Sequence, residues 1–179
     1  MPPTSPTFPQ LFDQLVRPRA ERVFLPRRSA RDHSPISFSR LAKDVDSLAS
    51  ALLTLGIKHG DHVGLIAENR YEWLLMDQAL ASLGIVDVPR GSDTTPTELQ
   101  FILAHSGCCA AFAEDDRVAA EMVSMQAKPP HLEHVIVMAD STEVEGARTL
   151  GELLASGEQA ASQGAEKLRE ARQAVQASD

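Results

Sequence analysis

Two pairs of histidines have a spacing that would let both rings of a pair bind one metal ion. They are His59 with His62 and His131 with His134. A zinc site in a protein needs three or four nitrogen, sulfur or carboxylate ligands, and no cysteine or carboxylate completes a set around either pair. Both pairs also lie where a turn leads into an apolar segment. The sequence therefore favours surface histidines at loop ends over a metal site.

Two acidic pairs, Asp115 with Asp116 and Glu143 with Glu145, are the candidates for acid–base chemistry. A catalytic pair of carboxyl groups needs two environments that push their pKa values apart, for instance an apolar pocket around one of them. Neither pair lies in such a segment. We interpret all four residues as solvated loop residues.

The two cysteines of the chain, Cys108 and Cys109, are adjacent. Neighbouring residues of an extended strand point to opposite faces, so these two thiols suit neither a shared metal nor an ordinary disulfide. We expect them to be buried, reduced side chains.

Signatures of a phosphate-binding loop are missing from the sequence. A Walker loop requires a lysine directly after a glycine, and none of the four lysines follows one. These lysines are Lys43, Lys58, Lys128 and Lys167. The glycines at 56, 60 and 64 do not have the dinucleotide-binding spacing, and no Gly-x-Ser-x-Gly nucleophile elbow occurs.

The segment from Val88 to Pro96 is the best remaining candidate for a binding loop. It follows a predicted strand, contains Gly91-Ser92-Asp93 and leads into a capped helix. Free backbone N–H groups at such a junction attract anions. A plain strand-to-helix connection is the alternative, and it is the commoner use of such a loop.

Helical periodicity and recognisable helix ends place these loops between regular elements. The predicted helices are Phe38 to Leu55, capped by Ser37; a helix from a capping box of Asn69 and Glu72 to Gly84; Thr95 to Gly107; Asp115 to Gln126; and a short helix that begins at Thr149 with Glu152. The third has the clearest start, since Thr95, Pro96 and Glu98 combine a cap, a first-turn proline and a capping-box glutamate. Trp73, the only tryptophan, is predicted to lie in the core.

Short apolar segments alternate with these helices. The predicted strands are His62 to Ile66, Ile85 to Val88, Cys108 to Ala113 and His134 to Met138. Strands that alternate with helices over short connections are typical of a mainly parallel sheet covered on both faces. The predicted class is α/β.

Charge and hydropathy exclude several classes of function. The chain of 179 residues has 17 basic and 25 acidic residues, a net charge of -8, which disfavours nucleic acid as a partner. No segment reaches the ~18 apolar residues of a membrane span, and no secretory signal opens the chain, so we expect a cytosolic protein. A single basic cluster is interpreted as solvated, with contact to a membrane surface or an acidic partner as the alternative. It comprises Arg17, Arg19, Arg22, Arg27, Arg28 and Arg31.

Four segments, taken together, resemble the opening of adenylate-forming enzymes in both order and spacing. They are Ile36 to Leu41, Leu55 to Val63, Ala67 to Trp73 and Ala81 to Pro89. The third, with its Glu-Asn-Arg-x-Glu-Trp sequence, resembles the long-chain branch of the AMP-forming acyl-CoA synthetases. The similarity continues to about Leu154.

This resemblance implies the amino-terminal subdomain of an enzyme that converts ATP, a fatty acid and CoA into acyl-CoA, AMP and pyrophosphate. ATP, Mg²⁺ and CoA would be the cofactors of the complete enzyme, and its partners would be the fatty acid and the remainder of the synthetase chain. The family binds ATP through a Ser/Thr/Gly-rich loop that ends in lysine, and no such loop occurs in this sequence. We therefore assign no catalytic, cofactor-binding or metal-binding residue, and we expect the chain alone to be inactive.

Two positions depart from the family pattern: Arg40 stands where a capping glutamate is usual, and Arg90 to Asp93 replaces a loop that usually contains leucine and tyrosine. The second leaves the chain-length preference open. We divide the chain into residues 1–157, the amino-terminal part of the AMP-binding domain, and residues 158–179, a polar helix-prone tail with little to bury. Two alternatives to an incomplete synthetase remain, a stand-alone α/β binding module without catalysis and an interaction protein that pairs with a separately encoded remainder.

Overall fold

A computed structural model describes residues 6–26, 34–126 and 132–179. In chain order its elements are α1 (Phe8–Val16), a 3-10 turn (Arg17–Arg19), β1 (Val23–Leu25), β2 (Ile36–Ser37), α2 (Phe38–Thr54), β3 (His62–Ile66), α3 (Tyr71–Ala81), β4 (Val86–Arg90), α4 (Pro96–Ser106), β5 (Ala110–Ala113), α5 (Asp116–Met125), β6 (His134–Val137), β7 (Ala147–Thr149) and α6 (Leu150–Ala174). Strands β3 to β7 form one parallel sheet in the order β4-β3-β5-β6-β7. In the described part of the chain no helix is long and apolar enough to cross a membrane.

Both faces of the sheet are covered, because alternate residues of each strand enter two different cores. The first core takes Val63, Leu65, Phe112 and Ile136 and packs them against α2, α3 and the start of α6. The second takes Ile66, Ala111, Val135 and Val137 and packs them against α4 and α5. Strands buried on both sides read as continuous apolar runs, as parallel strands usually do. The α/β class with helices on both faces is confirmed.

Four predicted helix starts agree with the structure, and one of them is the capping box of Thr149 and Glu152 at the start of α6. The hydroxyl of Ser37 accepts a hydrogen bond from the Arg40 N–H at the start of α2. Thr95 and Glu98 form a complete capping box at α4, which ends at Gly107 with a φ of 65°. The side chain of Asp115 accepts from the Val118 N–H at α5. Side-chain caps fix helix starts through contacts three residues apart, so the sequence alone reveals them.

The capping box predicted at Asn69 is wrong. Helix α3 begins one residue later, after Arg70 as its N-cap. Glu72 is buried, and its carboxylate accepts a hydrogen bond of 2.7 Å from Nε of Arg70 instead of turning back to a cap backbone. A buried carboxylate next to a guanidinium gains more from that ion pair than from a backbone N–H.

Trp73 is not enclosed in the core as predicted; it is half-buried and packs against the edge of the first core. The fully covered face of α3 is formed by Leu75, Met76, Ala79 and Leu80. The indole lies instead beside the loops that follow β3 and β4.

Helix α6 is much longer than the short helix predicted at Thr149. It has 25 residues and contains one non-helical residue, Gly164. Both of its halves lie along α2, since Glu158 pairs with Lys43 at 2.7 Å and Arg172 pairs with Asp46 at 2.7 Å. Leu168 and Val175 are buried. The tail therefore packs on the domain. The boundary between residues 157 and 158 lies inside α6 and stays a prediction.

Candidate functional site at the carboxyl edge of the sheet

The strand order places a topological switch point between β3 and β5. The chain passes from β3 to β4 on one side and then crosses to β5 on the other side. Ligands of open α/β sheets bind in the crevice outside the carboxyl ends of the strands at such a point. The loops after β3, β4 and β5 meet here, and they include the candidate segment from Val88 to Pro96.

Glu68 occupies one backbone donor of this crevice, the N–H of Ser92. Its Oε1 accepts a hydrogen bond of 3.3 Å from the Ser92 N–H. A side chain at Gly91 would place its Cβ 2.9 Å from Oδ1 of Asp93 and 3.2 Å from Oε1 of Glu68. The loop is a strand-to-helix connection, the commoner of the two interpretations, and the anion that it contacts is the protein's own Glu68 carboxylate.

Further contacts join the loops around Glu68. The Glu68 N–H donates to Oε2 of Glu114 at 3.1 Å, which connects the ends of β3 and β5. Nη1 of Arg70 lies 4.0 Å from Oε1 of Glu114. Arg117 donates from Nη2 to the Ser92 carbonyl at 2.7 Å. This network ties three loops together, so its charged groups act as structural cross-links.

The N-terminus of α4 is likewise occupied from within. The Glu98 carboxylate accepts from the N–H of Thr95 at 3.0 Å and from its hydroxyl at 2.9 Å. These two hydrogen bonds favour the ionised form and lower the pKa of Glu98 below its usual value. The helix end has its negative charge in place and offers little to a phosphate.

The acidic pair Asp115 and Asp116 has a structural role that its sequence did not reveal. Asp115 caps α5. Asp116 accepts hydrogen bonds from the Thr142 hydroxyl at 2.6 Å and the Glu143 N–H at 3.1 Å, and these contacts lower the pKa of Asp116. Asp116 therefore fastens the loop after β6 to α5. Both carboxylates are engaged in hydrogen bonds that hold the structure together, an arrangement unlike that of an acid–base dyad.

Each described histidine of the two pairs has its own hydrogen-bond partner. Nε2 of His59 lies 2.7 Å from Oδ2 of Asp179, and Nδ1 of His62 contacts the Ser106 carbonyl. Nε2 of His134 lies 3.3 Å from the Leu55 carbonyl, and His131 lies outside the described residues. Within residues 6–26, 34–126 and 132–179, no three His, Cys, Asp or Glu side chains are arranged to hold a metal ion.

A buried polar cluster escaped the sequence analysis. Asp44 lies beside a cavity of about 180 Å³ and accepts hydrogen bonds from Nε of Arg40 at 2.8 Å and from the Tyr71 hydroxyl at 2.9 Å. The i,i+4 spacing of Arg40 and Asp44 was a usable signal. Tyr71 lies 27 positions away in the chain, and no local pattern could have joined it to Asp44. Arg40, at the third position of α2, thus forms an ion pair with a buried carboxylate.

The predicted burial of the two cysteines is confirmed for Cys108 and only in part for Cys109. Cys108 is buried and Cys109 is half-buried, with its thiol 3.6 Å from the His62 carbonyl. Burial raises the pKa of Cys108 to about 12 from 9.0, and it also raises the pKa of Cys109. Neither group is a nucleophile at neutral pH.

We expect Cys108 in the folded chain to react far more slowly than a free thiol with dithiobisnitrobenzoate near pH ~8. Its raised pKa leaves a thiolate population about a thousandfold smaller than that of an ordinary cysteine. A Cys109→Ser variant isolates this thiol, and the same variant in denaturant is the control that should react fully. Rapid labelling of the folded variant would contradict the buried placement.

The described residues do not fit the phosphates of ATP. The crevice has carboxylates where a phosphate site needs free backbone N–H groups and lysine. The arginines of the network are already paired with carboxylates or with the Ser92 carbonyl. No reaction step is derived through ATP, Mg²⁺ or CoA for these residues.

The fold is a doubly wound α/β domain of the kind found in adenylate-forming enzymes. The carboxylates at the carboxyl edge of its sheet are bonded within the protein. Solved structures support that class. The A-PCP didomain of a carboxylic acid reductase from Segniliparus rugosus, in complex with AMP, matches with a TM-score of 0.75 and 16% identity over 88% of this chain and 27% of its own. The anthranilate CoA ligase AuaEII, in complex with anthranoyl-AMP, matches with a TM-score of 0.73 and 20% identity over 86% of this chain and 29% of its own.

Sequence comparison then identifies the family. Residues 12–177 match the model of the AMP-binding enzymes, and the chain belongs to that family. It is 28% identical to the long-chain-fatty-acid–CoA ligase FadD15 of Mycobacterium tuberculosis over 59% of this chain and 18% of that protein. It is 35% identical to the human mitochondrial medium-chain acyl-CoA ligase ACSF2 over 54% of this chain and 16% of that protein. The matched region thus spans less than a fifth of these curated relatives.

Proposed function

We propose that this chain is the amino-terminal segment of an AMP-forming long-chain fatty-acid–CoA ligase and that it is inactive alone. The observation that carries the proposal is the contrast between a family match over residues 12–177 and a crevice that its own carboxylates fill. The segment supplies scaffold, and the groups that bind ATP and transfer the acyl group come from the remainder of the synthetase.

An open sheet edge supports a partner of this kind. Strand β4 pairs only with β3 in the described part of the chain, and its Val86 is 45% exposed. Pro89 lies within this strand and cannot donate a hydrogen bond, which is tolerated at a sheet edge. The unpaired backbone groups of an edge strand can pair with further polypeptide.

The substrate class rests on the names of the relatives and on the Glu-Asn-Arg-x-Glu-Trp segment, which resembles the long-chain branch. Matches to both a long-chain and a medium-chain ligase support an aliphatic carboxylate as the substrate. Within that range we propose a long-chain fatty acid.

The purified chain, given ATP, Mg²⁺, CoA and hexadecanoate, should release no pyrophosphate that depends on the fatty acid. Mixing it with a FadD15 chain that lacks the matching segment should restore acyl-CoA formation, with hexadecanoate preferred over octanoate. The truncated FadD15 chain alone is the control. Pyrophosphate release by this chain alone would refute its inactivity, and a mixture that neither associates nor turns over would refute the assignment as a synthetase segment.

A further inference from the structure

A groove between α1 and the second half of α6 has the features of a binding site that lies apart from the carboxyl edge of the sheet. It has a volume of about 590 Å³, within the range of about 300–1,000 Å³ that is usual for small-molecule sites. Apolar side chains line its length, namely Pro9, Ala161, Ala165, Leu168 and Val175. We refer to it as the α1–α6 groove.

Arg172 gives this groove an unused recognition group. Its Nη1 lies 2.7 Å from Oδ1 of Asp46, and its side chain is only 15% exposed. Among the described residues no group accepts a hydrogen bond from its Nε or Nη2, and both atoms are buried. A buried donor without an acceptor costs free energy, so an acceptor brought by a ligand would bind favourably.

The two unused donors of Arg172 determine which kind of ligand would fit. Nε and Nη2 lie along one edge of the planar guanidinium group, and their two parallel N–H donors match the two oxygens of a carboxylate. Three arginines and two aspartates line its walls, and each arginine has a carboxylate partner: Arg17 with Asp13, Arg172 with Asp46 and Arg169 with Glu166. The two unused donors of Arg172, and not a net positive charge, would therefore recognise an anion. An anionic head and an alkyl chain therefore complement the guanidinium and the apolar lining.

We propose that the α1–α6 groove binds one fatty-acid anion, with its carboxylate on Nε and Nη2 of Arg172 and its alkyl chain along Leu168 and Val175. The site binds the ligand without transforming it, and the proposal is independent of the proposed function. Side chains must shift to uncover the two nitrogens. Gly164 permits such a shift, because helical geometry is interrupted there between the two halves of α6.

The test is calorimetric titration of the 179-residue chain with dodecanoate below its micelle concentration. One molecule should bind per chain, and the Nε–H resonance of Arg172 should move on binding. Arg172→Lys keeps a positive charge near Asp46 but lacks the paired donors, and it should bind about tenfold more weakly. Arg148→Gln removes an exposed arginine from β7, outside the groove, and should bind like the unchanged chain.

Two further ligands serve as controls. Dodecanol tests whether the carboxylate is needed, and phosphatidylglycerol vesicles test whether the groove binds lipid instead of free fatty acid. Dodecanol should bind much more weakly than dodecanoate, because it lacks the carboxylate. Equal binding of the alcohol, or unchanged binding by Arg172→Lys, would overturn the proposal. Association with phosphatidylglycerol vesicles in the absence of dodecanoate binding would also overturn it, since the groove would then have no free-acid ligand.

Discussion

Replacing Gly157 by alanine should destabilise the chain by about 3 kcal/mol or more, the upper range of overpacked cores. A Cβ at this position would lie 1.8 Å from the Ser47 carbonyl oxygen and 2.7 Å from its carbon. Both atoms belong to the backbone of α2, which cannot yield as a flexible side chain would. Helix α6 would have to move away from α2, and the burial of Leu153 would be lost with the contact. Urea unfolding followed by circular dichroism measures the effect.

Gly151→Ala is the matched control, because it makes the same change six residues earlier in the same helix. Its Cβ would meet only Oγ1 of Thr149 at an ordinary distance of 3.8 Å. Alanine is favoured over glycine in a helix by up to about 1 kcal/mol, so this variant should be as stable as the parent or more so. Equal stability of the two variants would show that α6 does not approach α2 as closely as described.

The close approach of Gly157 to α2 could not be predicted from the sequence. Gly157 was assigned as the last residue of the domain, directly before residues 158–179, whose few large apolar residues predict a tail with little to bury. The structure brings it against Ser47 and Ala51, small residues of α2 that let two helix backbones approach. A contact of small residues more than a hundred positions apart has no periodic signal. The length of α6 and its packing on α2 were therefore underestimated.

The parts that were predicted correctly depend on local physics. Thr95 with Glu98 and Asp115 with Val118 interact within one helical turn, and a reader of the sequence can see both partners. The strand from His62 to Ile66 was predicted with its observed bounds because turn residues flank it. Strands β1, β2 and β7 were missed, since two or three residues are too few to show a period.

The sequence analysis offered the loop from Val88 to Pro96 as a candidate for binding, with a plain connection as the commoner alternative, and it assigned no site residue. This glycine-containing loop and the helix start that follows identified the carboxyl edge of the sheet. No local pattern indicated that Glu68 would fill the loop, because Ser92 lies 24 positions away. The same limit hid the link between Asp116 and Thr142. Pairings across different βα units determine whether such an edge can receive a ligand, and they follow from the strand order.

Phe112→Ala should destabilise the chain by about 3–5 kcal/mol, the usual cost of removing a buried phenylalanine. Phe112 lies on β5, between β3 and β6, and is fully buried in the first core. The cavity left behind would lie between the sheet and the helices of that face, where well-packed neighbours can collapse only partly.

Phe101→Ala removes the same atoms from a different environment and serves as the control. Phe101 is 65% exposed on α4 and stacks on His105 with ring centroids 5.4 Å apart. Surface truncations of this kind usually change the free energy of unfolding by less than about 0.5 kcal/mol. The urea midpoints of the two variants should therefore differ widely, although both substitutions delete a phenyl ring from a segment rich in apolar residues. If Phe101→Ala cost as much as Phe112→Ala, the outer face of α4 would be covered by a second molecule in solution, and the exposed surface described here would be an interface.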